Sequence, residues 1–348
     1  MTREELNQKS LKRIENNENI LLEWATGTGK TYAALNAIKH LGGRWLIVLA
    51  EIQHYENWNE QIQKHGFEDI LLNVDIVLYA SLHRYQDTIY DGIVLDEAHH
   101  ALTDRRINFL NSIKTKKRVL LTATFTQEEK NLFSSIYGSL LSIKISLEKA
   151  IDYGFIPAPK IYVHYLTLSP YQQKDYDEMT RKLDYWKNRY FREKQPWMKQ
   201  KFLFQGTHRK RFLANSKTNY AKNLLSKLDN KRLICFTGSV KQSKELGDIH
   251  SVYAEKKNNA EIIKAFNSGE ADKIFATGML KEGTNLNNID AGIIIQLSSK
   301  LKDFIQMMGR SLRSKDVPEQ HILVFKNTQD EKYFKNIFNE IEKYVQRY

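Results

Sequence analysis

The sequence predicts two tandem α/β domains, each a doubly wound parallel sheet, with a helical insertion in the second. Three observations carry this. Short apolar runs recur along both halves of the chain without polar alternation, as expected of strands covered on both faces. Helical patterns separate those runs, and that alternation builds βαβ units. The segment YGFIPAPK (153–160), with two prolines and a glycine, then punctuates the series before it starts again. A length of 348 residues gives each domain enough chain to bury its own core.

In the first domain, residues 1–145, Ile20-Leu21-Leu22 leads into a glycine-containing turn, and Tyr32 to Lys39 reads as a helix. Further strands are expected at WLIVLA (45–50), DIVLY (75–79), GIVLD (92–96) and RVLLT (118–122). Residues 146–160 read as a linker. The second domain, 161–348, offers IYVHYLTL (161–168), RLICFT (232–237), KIFATG (273–278), AGIIIQL (291–297) and HILVF (321–325). An amphipathic helix over 328–348 closes it, and the stretch at about 170–216 reads as the inserted helical segment.

Hydrophobic residues at 41% and charged residues at 27% suit a soluble globular chain. No apolar run nears the ~20 residues that span a bilayer, and MTREELNQKS lacks the apolar core of a secretory signal. The single cysteine, Cys235, excludes an internal disulfide and a cysteine-built zinc site. A cytoplasmic location and no membrane partner are therefore expected. The Lys-, Asn- and Ile-rich composition points to an AT-rich bacterial or viral genome.

The formal charge of +12, with a pI near 9.4, favours a polyanionic partner, nucleic acid first. Tyr171 to Lys217 holds 13 Lys/Arg against 5 Asp/Glu, a local charge of +8. About two-thirds of the net charge thus sits in about one-seventh of the chain.

ATGTGKT, Ala25 to Thr31, follows a predicted strand and opens a predicted helix. Gly27 and Gly29 let the backbone curl so that the N–H groups of Thr26, Gly27, Thr28 and Gly29 can meet phosphate oxygens, aided by the helix dipole. Lys30 would reach the outer phosphates of ATP, and Thr31 would offer its hydroxyl to Mg²⁺. A Trp, Trp24, stands where the strict phosphate-loop pattern has a glycine. IVLDEAHH (93–100) ends an apolar strand in two acids, 66 residues after Lys30. Asp96 at the sheet's C-terminal edge would hold Mg²⁺ through water, and Glu97 would orient and deprotonate the attacking water.

With ATGTGKT and DEAH in this order, the chain resembles the superfamily 2 helicases and translocases. LTAT (121–124), ICFTGS (234–239), ATGMLKEGTNL (276–286) and QMMGRSLR (306–313) are similar to further family segments in the family's order. The resemblance implies two RecA-like domains with the ATP site divided between them. It also implies arginine-finger roles for Arg310 and Arg313, nucleotide contact at Gly283, and adenine reading by Gln8, which lies 22 residues before Lys30.

WLIVLAEIQHYENWNEQ (45–61), with Trp58 and Glu60 in matching places, and LTLSPYQQKDYDEM (166–179) resemble the Swi/Snf-type ATPases. SLEKAIDYGFIPAPK (146–160) is closer to restriction-type and branch-migrating helicases. The resemblance implies a DNA helicase or translocase acting on duplex, forked or branched DNA. An RNA helicase, or an ATP-gated clamp or motor subunit serving a partner enzyme, remains the alternative.

YWKNRYFREKQPWMKQKFLFQGTHRKRF (185–212) interleaves cations with eight aromatics. The aromatics read as the small core of a helical pair, and the cations, above all Arg209, Lys210 and Arg211, as phosphate contacts; stacking of the aromatics on bases is the competing reading. On the resemblance, Ser81 and Thr277 would touch the sugar–phosphate backbone, giving binding that is sequence-independent and salt-sensitive.

Overall fold

The computed structural model describes residues 1–254, 256–277, 286, 288–298, 301–311 and 317–346. It divides into two compact units, one spanning Met1–Ile156 and the other running from Pro157 onward.

The first unit contains α1 (Arg3–Asn16), β1 (Asn19–Trp24), α2 (Lys30–Leu41), β2 (Trp45–Leu49), α3 (Ile52–His65), β3 (Val74–Leu78) and β4 (Ile89–Asp96). It continues through α4 (Asp104–Ser112), β5 (Lys114–Thr122), α5 (Gln127–Tyr137), β6 (Leu141–Ile145) and α6 (Leu147–Asp152). Its strands pair in parallel in the order β3-β2-β4-β5-β1-β6. Every residue of β1 and β2 is buried, which explains the unbroken apolar sequence of β2 and the apolar centre of β1. Gly92 on β4 is obligatory for packing, because a Cβ there would lie 2.3 Å from the Trp45 ring. One acid interrupts β1. Glu23 is 4% exposed and is neutralised by Lys130 of α5, whose Nζ donates to Oε2 at 2.6 Å, and by Lys144 of β6 at 3.7 Å.

Two features depart from the expected organisation. LSIKI (141–145) forms edge strand β6, whose alternating exposure hides it from a search for fully apolar runs. Helix α6 lies within the stretch expected to be linker. Ser146 caps it, its hydroxyl accepting from the Lys149 N–H at 3.2 Å, and the first unit extends to Ile156, with the second starting at Pro157.

The second unit comprises β7 (Lys160–Leu166), α7 (Pro170–Glu193), α8 (Pro196–Ser216), α9 (Thr218–Lys227), β8 (Leu233–Thr237), α10 (Val240–Gly247), β9 (Ser251–Val252) and α11 (Asn259–Ser268). Then follow β10 (Lys273–Thr277), β11 (Ala291–Ile294), α12 (Leu301–Ser311), β12 (Glu319–Phe325) and α13 (Gln329–Ile341). The sheet is again parallel, ordered β7-β12-β11-β8-β10-β9. Strand β9, two residues long, gave no sequence signal.

Lys217, at the junction of α8 and α9, is fully buried. Its ammonium donates to the carbonyls of Ile295 (2.6 Å) and Leu323 (2.7 Å) and pairs with Asp330 of α13 at 2.6 Å. Burial pushes its pKa down against the opposing pull of Asp330. The residue therefore binds a strand terminus, a neighbouring strand and the last long helix to one point. On β7 and β12, His164 Nε2 and His321 Nδ1 lie 2.9 Å apart, and His164 Nδ1 lies 2.9 Å from the Tyr220 hydroxyl.

The inserted segment is an antiparallel pair, α7 and α8, each opened by a proline in its first turn. Trp186 meets Trp197 edge-on at 5.7 Å, and Tyr190 meets Phe202 at 5.4 Å. These four rings make the pair's own seam. Tyr185, Phe191, Trp197 and Phe204 are exposed, with Phe204 66% accessible.

Candidate nucleotide site and nucleic-acid contacts

The register of the first sheet assembles the candidate catalytic residues at one edge. Glu23 of β1 pairs with Thr122 of β5, and Asp96 of β4 pairs with Leu121. The phosphate loop, the LTAT turn and the DEAH segment therefore leave three adjacent strands, β1, β5 and β4, at the same level. This is the C-terminal edge, where open α/β sheets bind ligands.

Within the loop, Gly27 (φ +83°) and Gly29 (φ +96°) occupy conformations costly for any side-chain-bearing residue. Gly29 is the N-cap of α2, so the N–H groups of the first helical turn open onto the loop. Thr28 donates to the Ala25 carbonyl at 2.7 Å, and the Lys30 ammonium folds back to the Trp24 carbonyl at 2.7 Å. Thr26 and Thr31 are half-buried on either side. Trp24 itself is completely buried, so in place of the usual glycine it contributes core volume and a carbonyl.

Asp96 is held from three directions. The Trp58 indole of α3 donates to Oδ2 at 2.9 Å, and His54 Nδ1, one helical turn earlier, lies 3.5 Å from the same oxygen. The Glu97 N–H donates to Oδ1 at 3.0 Å, and the Tyr79 hydroxyl donates to the Asp96 carbonyl at 3.1 Å. Burial alone would raise this carboxyl's pKa. Hydrogen bonding and charge from His54, the Trp58 donor and the positive charge of Lys30 outweigh it and hold the pKa below the ordinary value. Asp96 is thus an ionised, oriented carboxylate close enough to Lys30 to feel its field.

Glu97 adopts left-handed backbone angles (φ 45°, ψ 57°), uncommon for a non-glycine residue and found at functional turns. His99 Nδ1 lies 3.5 Å from its Oε2. In the LTAT turn the Thr122 hydroxyl donates to the Thr124 carbonyl at 3.0 Å. Sequence reasoning missed His54 altogether and counted Trp58 only as a family match; their contact with Asp96 spans 42 and 38 residues.

Gln8 is exposed on α1, and Ser81 is half-buried in the seven-residue 3₁₀ helix Tyr79–Tyr85. Thr277 ends β10, its hydroxyl 3.0 Å from that of Thr237 at the end of the adjacent β8. The Arg209-Lys210-Arg211 cluster splits, because consecutive helical residues point ~100° apart. Arg209 turns inward, donating to the Thr180 hydroxyl at 2.9 Å and lying over the Tyr176 ring. Lys210 lies over Tyr333 of α13, and Arg211 is exposed. Arg310 falls in α12, but its side chain, together with Gly283 and Arg313, lies outside the described residues. Among the described residues no helix is long and apolar enough to cross a membrane.

Comparison with known proteins agrees with this geometry. The family described as "Type III restriction enzyme, res subunit" matches residues 2–70, which include α1, the phosphate loop and α3. The "Helicase conserved C-terminal domain" family matches residues 216–315. The DNA 3'-5' translocase XPB2 of Sulfurisphaera tokodaii is 25% identical over 84% of this chain and 74% of its own length. A Halobacterium salinarum protein named as a DNA 3'-5' helicase, Rad25, is 28% identical over 40% of this chain and 26% of its own. The Pyrococcus furiosus Hef helicase domain has the same fold, with a TM-score of 0.58 at 14% identity, covering 96% of this chain and 97% of that one. The phosphate loop of the first unit thus lies within the match to the restriction-enzyme family, and α9 to α12 of the second lie within the match to the helicase C-terminal family.

Proposed function

We propose that the chain is a DNA translocase or helicase that couples ATP hydrolysis to movement along duplex, forked or branched DNA. Its polarity is 3'-5', as in the names of its archaeal relatives. The observation that carries the reading is that Lys30 of the phosphate loop and an ionised, oriented Asp96 stand at the same edge of the first sheet. Lys30 exchanges the Trp24 carbonyl for phosphate oxygens, while the loop N–H groups from Thr26 to Gly29 cradle the phosphates. Asp96 and Thr31 are the groups that fit Mg²⁺: a buried anionic oxygen donor whose orientation is fixed, and a hydroxyl in the first turn of α2. Bound Mg²⁺ would neutralise charge on the β- and γ-phosphates. Glu97 orients the attacking water and takes its proton, with His99 beside it.

On the family resemblance, Arg310 and Arg313 supply positive charge to the transferring phosphoryl group, Gln8 reads adenine and Gly283 adjoins the nucleotide. Ser81 and Thr277 grip the DNA backbone, and Arg211, Lys210 and the outward cations of α7 and α8 neutralise phosphates. Arg209 braces the helical pair instead.

The test is ATP turnover measured against single-stranded, duplex and forked DNA and against RNA. DNA should stimulate turnover most strongly. Glu97→Gln should lower kcat by about 10²–10⁴ while nucleotide binding survives, and Lys30→Ala should abolish it. Stimulation by RNA alone would move the reading to an RNA helicase. Turnover surviving Lys30→Ala would overturn it.

A further inference from the structure

We propose that Trp58, supported by His54, is a positioning residue: it fixes the Asp96 carboxylate in the arrangement that holds Mg²⁺. The metal affinity of the site is then set by helix α3. This rests on the assignment of Asp96 as the magnesium-holding residue.

The two oxygens of the Asp96 carboxylate present about four acceptor positions: the Glu97 N–H engages Oδ1, and the Trp58 indole, with His54 Nδ1 3.5 Å away, engages Oδ2. Trp58 is 1% exposed and His54 4%, so water cannot substitute for the indole donor. A buried, charge-assisted hydrogen bond of 2.9 Å is strong and directional.

The competitor for the carboxylate is Lys30, whose positive charge already acts on it. A carboxylate free to turn toward Lys30 would disable the phosphate-holding and metal-holding groups together. The indole prevents this by engaging Oδ2 from α3, while the Tyr79 hydroxyl anchors the Asp96 backbone. Groups that orient a metal-holding side chain commonly change metal affinity by 10- to 100-fold when removed. Tryptophan suits the task because its ring is locked by core packing and its one polar atom is a donor.

The experiment uses the full chain and Trp58→Phe, which keeps an aromatic ring and deletes the donor. ADP binding is measured by calorimetry across a series of Mg²⁺ concentrations and in EDTA. The half-saturating Mg²⁺ concentration should rise about 10-fold or more, with ADP affinity in EDTA unchanged. In an Asp96→Asn background, Trp58→Phe should add no further shift. An unchanged Mg²⁺ requirement, or equal weakening in EDTA, would overturn the proposal. Failure of the unaltered protein to respond to Mg²⁺ would instead overturn the assignment of Asp96. Should Trp58→Phe not fold, the wild-type indole N–H resonance of Trp58 serves. It should lie downfield, exchange slowly and shift in Asp96→Asn, and a resonance unmoved by that change would equally overturn the proposal.

Discussion

Replacing Lys217 by methionine should be one of the most damaging single substitutions in the second unit, although Lys217 touches no candidate functional residue. The ammonium satisfies two buried carbonyls and the carboxylate of Asp330, itself 2% exposed. Without it, Asp330 keeps, among the described residues, the weak contact from the Phe325 N–H at 3.4 Å, and the two carbonyls lose a donor. Breaking one side of a buried ion pair costs about 3–5 kcal/mol, because an uncompensated charge is left behind. The second unit has about 190 residues, and for that size each kcal/mol lowers the midpoint by about 2–4 °C. A fall of roughly 10 °C is therefore expected for the second-unit transition, measured by calorimetry on the full chain. Replacing both partners, as Lys217→Met with Asp330→Leu, should recover most of the loss. A single-variant shift below ~2 °C, or a double variant no better than the single, would refute the reasoning.

Two further expectations follow from the geometry. The His164–His321 pair requires at least one neutral ring. Burial and the neighbouring His164 push the His321 pKa down to about 4, and burial also lowers that of His164. The unfolded chain, with histidines near ~6.5, therefore binds more protons than the folded one at intermediate pH. Stability is full above that value and falls as pH drops toward 4, by up to about 1.4 kcal/mol per pH unit for each extra proton bound. Urea unfolding from pH 7 to 4 should show this slope, and His321→Phe should flatten it. The arginines of α8 should separate by effect. Arg209→Ala should cost about 1–2 kcal/mol of stability through the Thr180 bond and the Tyr176 contact. Arg211→Ala should leave the melting temperature unchanged and reduce the salt slope of DNA binding by about 1; the reverse pattern would reassign both.

Much of the candidate site was legible because its signals are local. Phosphate-loop glycines must sit where φ is positive, and Asp96 and Glu97 must end an apolar strand; both requirements are written in consecutive residues. Most strands announced themselves because a parallel sheet covered on both faces needs unbroken apolar runs. β6 did not, since an edge strand with one wet face alternates, and α6 hid among the residues that precede two prolines. What surrounds Asp96 was illegible for a different reason. The contacts of His54 and Trp58 depend on β2 lying beside β4, a pairing no local pattern encodes. Lys217 and Arg209 were likewise indistinguishable from their solvent-facing neighbours in the basic stretch. Only the fold reveals which cations of a charged run are turned inward.

The five tryptophans give the molecule an internal optical record of its working parts. Trp24, Trp45 and Trp58 are sealed in the first unit, Trp24 adjoining the phosphate loop and Trp58 bonded to Asp96. Trp186 and Trp197 sit on the inserted helical pair, with Trp197 about half exposed. The first set emits from a dry environment and the second partly from a wet one. A ligand in the phosphate loop and a ligand on the inserted helical pair would therefore be separable by colour and by quencher access, without attaching a dye.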